Sequence, residues 1–235
     1  MDFLDILVYI LSFLIGAVVF AYANEVIIRV PKKEKLLGEG FKYFRDKQSK
    51  RPIVIVILGG VLAVTVVVYY HVSFAAVTVF LLYTILSIIA FIDWDTQEIP
   101  PQLNAMILVL GVLSIWTIGG VSILERVIGM FCISLPLYLI ILIIPDAFGG
   151  GDIKMMFAAG FFLGWKGTLV AFFIGVITGG IYGVYMLAAR KKGRKEHFAF
   201  GPFLSVGIAV SAYAGLGITL MNMYLAPMQA MMSQW

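Results

Sequence analysis

The sequence predicts an all-α fold: a polytopic membrane helix bundle of about eight transmembrane helices, one of them short or broken. Three observations carry this. Hydrophobic residues make up 62% of the 235 and mean hydropathy is +1.02, whereas an ordinary soluble domain is about half apolar. Seven apolar runs are each long enough to cross about 30 Å of hydrocarbon. The basic residues gather between those runs, where they orient a chain in a bilayer.

The runs lie at Phe3–Tyr22, Ile53–Tyr70, Phe74–Phe91, Leu103–Ile118, Ile123–Ile144, Leu169–Ala189 and Phe203–Met223. The first lacks the basic flank of a secretory signal and reads as a retained helix. Between the fifth and sixth runs, Ile153–Leu163 is too short to span comfortably and is bounded by Asp152 and Lys166. Such interruptions at membrane depth need protein or a watery cavity around them. No low-complexity linker divides the chain, so residues 1–235 read as one integral-membrane domain, with 24–52 a basic loop having no separate fold.

Charge fixes the number of crossings. The link from Arg29 to Arg51 is dense in lysine and arginine, and a second basic run, Arg190–Lys195, follows the Leu169–Ala189 helix. The positive-inside rule assigns both to the cytoplasm, which requires Ile153–Leu163 to cross as an eighth helix. The links that carry Asp93 and Asp152 then fall on that same face. The net charge of +4 is explained by orientation, and nothing points to nucleic acid. Cys132, the only cysteine, lies in an apolar run, which excludes an intrachain disulfide and a cysteine-based zinc site. Glycines at four-residue spacing, Gly160 and Gly164 and then Gly175, Gly179 and Gly183, read as close helix packing.

The chemistry gathers at two places. Asp152 follows Gly149, Gly150 and Gly151 at the threshold of an apolar segment, where a carboxylate costs about 2.5–3.5 kcal/mol at mid-helix. Asp93, Asp95 and Glu98 end the third apolar run. Two aspartates meeting in a semi-dry site share one proton. The ionised partner takes a proton from water, and the protonated one donates to the developing oxyanion. Either Asp93 or Asp95 could face Asp152, and Asp93 lies nearer the apolar helix. Lys154 is placed to bind substrate or to support the carboxylate, or to snorkel to the interface.

Gly149–Lys154, with its continuation to Gly164-Trp165, resembles the GxGDxK motif of bacterial type IV prepilin leader peptidases, membrane aspartic proteases of the GxGD class. Ile92–Asp95 with Ile99-Pro100 and Leu103-Asn104 resembles that family's first-aspartate motif. Phe200–Leu204 resembles its FGPFL segment, and Asn24 with Arg29–Pro31 its motif after the first helix. The resemblance makes Asp93 and Asp152 the catalytic pair, with Gly149, Gly150, Gly151, Lys154, Asp95 and Glu98 as supporting or substrate-binding residues. It implies no metal and no cofactor. It also implies a multi-pass protein of the cytoplasmic membrane whose site faces the cytoplasm and removes short basic leaders from prepilins or pseudopilins. Pro101 departs from the usual aspartate of the motif. The first link has no cysteine, unlike the CxxC-bearing loop of many relatives, so the methylating activity tied to that loop is not implied. A rival class, a proton-coupled transporter or channel, also uses intramembrane aspartates beside a broken glycine-rich helix, but no inverted repeat is visible.

Overall fold

The computed structural model describes residues 3–34, 51–145, 148–188 and 199–232. Most of the basic link and the whole Arg190–Lys195 run therefore lie outside the described residues, as does His197. The regular structure among the described residues is all helical: α1 (Phe3–Arg29), α2 (Arg51–Tyr70), α3 (Phe74–Thr96), α4 (Pro101–Thr117), α5 (Ile123–Ile143), α6 (Gly150–Ala188), α7 (Gly201–Ala212) and, after a 3-10 turn at Tyr213–Gly215, α8 (Leu216–Met232). Five of them, α1, α2, α3, α5 and α6, are long and apolar enough to cross a membrane, and α4 is a shorter apolar helix.

Local chemistry sets the helix starts. Ser73 accepts the Ala76 N–H at 3.2 Å to begin α3. Ser122 and Glu125 close a reciprocal capping box at the start of α5. Pro101 opens α4, where a missing N–H costs nothing because the first turn has no partner for it.

Helix α3 is the axis of the bundle and packs on α1, α2, α4 and α7. Its buried stripe runs through Leu82, Ile85, Leu86, Ile89 and Ile92, the three- and four-residue spacing of one helix face. Asp93 prolongs that stripe and is 5% exposed. Asp95, about 200° further round at 3.6 residues per turn, faces out.

Helix α6 is two arms, not one rod. Its 39 residues are interrupted at Gly164, whose φ of 71° and ψ of 169° belong to a region open essentially to glycine alone. The Phe200 ring shows how sharply the chain folds back. It lies 6.2 Å, centroid to centroid, from Phe148 just before α6, and a Cβ on Gly179 in the second arm would come within 2.9 Å of it. A straight helix would hold Phe148 and Gly179 roughly 46 Å apart. The first arm, 150–163, therefore runs from the Ile99 end of α4, where Gly151 meets Ile99, to the opposite end, where Gly164 meets Val121. The short segment does cross the bundle, as the charge argument required.

That fold-back strips the first arm's last carbonyls of helical partners, and Arg126 of α5 supplies donors. Its guanidinium is 1% exposed and reaches the carbonyls of Phe161 at 3.1 Å and Phe162 at 3.2 Å, together with Ser114 Oγ at 2.6 Å and the Ser114 carbonyl at 3.2 Å. The two terminal nitrogens of this buried cation are met by carbonyl and hydroxyl oxygens, while its Nε has no partner among the described residues. Nothing in the residue pattern around Arg126 signals this role.

Two packing expectations are revised. The run Phe203–Met223 is not one straight span, because α7 and α8 meet at a 76° bend around Gly215, at φ 64°. Among the evenly spaced glycines, Gly160 abuts Gly129 and Gly175 abuts Leu204, but Gly183 has open space where a side chain would go.

Candidate active site

Asp93 sits in the last turn of α3, which Gln97 ends in a left-handed conformation with its N–H on the Asp93 carbonyl. The negative end of a helix dipole is an unfavourable place for a carboxylate. Compensation comes from α7, whose first residue, Gly201, donates its N–H to Asp93 Oδ2 at 2.9 Å. This is the anion-holding property of a helix N-terminus used within one chain. The approach leaves no room for a side chain, since a Cβ on Gly201 would stand 2.8 Å from Asp93 Oδ2.

Asp152 enters from the first turn of α6 and is 7% exposed. Its own N–H bonds the Gly149 carbonyl at 3.0 Å, while its Oδ1 is buried with no hydrogen-bond partner among the described residues. Asn104 of α4 steadies the turn by donating Nδ2 to the Gly151 carbonyl at 3.3 Å. The three glycines are not equivalent. A Cβ on Gly151 would come within 2.8 Å of Ile99, and one on Gly149 within 3.0 Å of Asp152 Oδ2, whereas at Gly150 nothing stands in the way. Packing thus accounts for glycine at the first and third positions of Gly-x-Gly-Asp and leaves the second unconstrained.

Both carboxyls open on one cavity of about 490 Å³, lined by Asp93, Gln97, Glu98, Ile99, Gly149 to Asp152, Ala199 and Phe200. Of the other expected site residues, Glu98 and the glycines line this cavity. Asp95 is instead paired with Arg51 at 2.6 Å, under a guanidinium that also stands 5.2 Å from the Phe91 ring. Lys154 is exposed and does not line the cavity. Arg29, where the basic link assigned to orientation begins, is 1% exposed and bound to Glu25 at 3.0 Å. Among the described residues no cluster of His, Cys, Asp or Glu could hold a metal ion.

Two contributors were not assigned from sequence: the Gly201 amide and the Asn104 side chain. The only signal was their presence in motifs. The contacts themselves join residues 108 and 47 positions apart.

Fold and cavity together define a polytopic helical membrane protein that holds two aspartates on one cavity at one end of its bundle. Residues 80–184, which contain both aspartates, match the model of the type IV leader peptidase family, which bears out the resemblance carried by the motifs. The prepilin leader peptidase/N-methyltransferase of Aeromonas salmonicida is 27% identical over 176 residues, 73% of this chain and 60% of that protein. The protein of the same name from Neisseria gonorrhoeae is 32% identical over 69% of this chain and 57% of its own length. That from Legionella pneumophila is 30% identical over 63% and 54%. The chain thus spans little more than half the length of these curated relatives. No solved structure matches it significantly.

Proposed function

We propose that the protein is a membrane aspartic endopeptidase that removes the leader peptide from type IV prepilins or pseudopilins at the cytoplasmic face of the cell membrane. The observation that carries this is the meeting of Asp93 and Asp152 on one cavity. The matches to proteins named prepilin leader peptidases support the substrate class.

In this mechanism the pair holds one proton. Asp93, fixed by the Gly201 amide, is the better placed to stay ionised and to take a proton from the attacking water. Asp152, whose Oδ1 has no donor among the described residues, carries the shared proton, hydrogen-bonds it to the oxyanion as the tetrahedral intermediate forms, and then transfers it to the leaving amine. Glu98 at the rim attracts the basic leader. The cytoplasmic orientation is supported by the ion pair of Arg51, which ends the basic link, with Asp95 beside the cavity.

The test is cleavage of a prepilin by the purified protein, with both products identified by mass spectrometry. Asp93→Asn and Asp152→Asn should each abolish the cut while leaving membrane insertion intact. Full activity in either variant excludes the dyad. We further propose that the mature pilin leaves this protein unmethylated, and the mass of the second product checks that directly.

A further inference from the structure

A second, larger cavity of about 1050 Å³ lies between α1, α3 and α4. Its walls are largely aliphatic: Val19, Ala23 and Val26 on α1, Leu81, Ile85 and Ile88 on α3, and Met106, Val109 and Leu110 on α4 are among them. The α3 wall runs from Leu81 to Thr96, about 22 Å at 1.5 Å per residue, most of the thickness of a hydrocarbon core. Charged side chains are confined to the aspartate end, where Lys33, Glu34 and Glu98 join the lining, with Thr96 and Gln102 beside them. The groove does not stop short of the aspartates, because Glu98 and Ile99 line both cavities.

We infer that this groove seats the apolar transmembrane helix of the protein substrate, so that the polar residues flanking that helix pass over Ile99 into the aspartate cavity. Three features favour a peptide helix as occupant. The groove has the length of a spanning helix and is walled by helices on three sides. Its charged residues lie only where such a helix would leave the hydrocarbon. Its polar end merges with a cavity lined by the two acids. Substrate selection then has two parts: an apolar helix recognised along the groove, and a cut placed by the distance from the end of that helix to Asp93 and Asp152. The inference rests on the peptidase reading, and its test separates the two.

The experiment uses the whole chain with Cys132→Ser as background, reconstituted in liposomes with a full-length prepilin carrying one cysteine in its apolar helix. Disulfide crosslinks should form with Met106→Cys and Leu81→Cys. They should not form with Val112→Cys, which is 41% exposed on α4 but outside the groove. Ala105→Trp, which fills the groove, should raise KM for the full-length substrate about tenfold, whereas Val112→Trp should leave it unchanged. If the wild type cuts prepilin but crosslinks arise equally at Val112→Cys, or none forms at Met106→Cys and Leu81→Cys, the groove assignment is overturned and the peptidase stands. Failure of the wild type to cut any prepilin overturns the peptidase reading instead.

Discussion

At the level of single residues, what distinguishes Asp93 from Asp95 is helix geometry. One lies on the buried stripe of α3, and the other is turned about 200° away to meet Arg51. Asp95→Asn should therefore leave prepilin cleavage within about threefold of wild type, since an exposed ion pair is worth only about 0–1 kcal/mol. The glycines before Asp152 divide similarly. Gly150→Ala should be tolerated, whereas Gly151→Ala drives a methyl into Ile99 and shifts the carboxylate. A displacement of about 1 Å costs on the order of 100-fold in rate, so kcat is the quantity to compare between the two variants. The sequence exposed both aspartates because carboxylates at the edges of apolar runs are conspicuous. Asn104 and Gly201 stayed silent because an amide side chain and a glycine are ordinary residues until the fold shows what they touch.

At the level of elements, the break in α6 is the feature on which the cavity depends. It returns the chain to the aspartate end, where the second arm supports Phe200 and, through it, the start of α7. Gly164→Ala must hold alanine in a glycine-only conformation, at a cost of about 1–3 kcal/mol, and also meets Val121 Cγ1 at 2.7 Å. Arg126→Met leaves the Phe161 and Phe162 carbonyls unpaired, about 1–3 kcal/mol for each. Both variants should unfold at lower temperature in detergent. If Arg126→Met is as stable as wild type, its carbonyl contacts contribute nothing. The crossing of this short segment was legible from charge placement alone, because parity is a global constraint that needs no side-chain detail. The bend between α7 and α8 was not legible, since Phe203–Met223 keeps its hydropathy straight through Gly215 and hydropathy carries no information about direction.

For the whole molecule, the contacts sort into two ends. Asp93, Ile99, Asn104, Gly151 and Gly201 meet at one. At the other, Tyr70 donates to the Ala212 carbonyl at 3.0 Å, Thr78 meets Thr117 at 3.0 Å, and Gly164 sits on Val121. Gln97→Cys and Gly120→Cys, each in a Cys132→Ser background, should therefore be labelled by an impermeant thiol reagent from opposite sides of the membrane, Gln97→Cys from the cytoplasm. Labelling of both from one side would contradict the bundle's topology.

The bond between the Gly201 N–H and Asp93 has a methodological consequence. A contact made by the main chain is invisible to alanine scanning, which trims side chains and would report only the crowding of an added methyl at this position. Replacing the peptide link between Phe200 and Gly201 with an ester removes the hydrogen while keeping the shape. Such a semisynthetic protein would weigh the anchor of one carboxylate without touching any residue's identity.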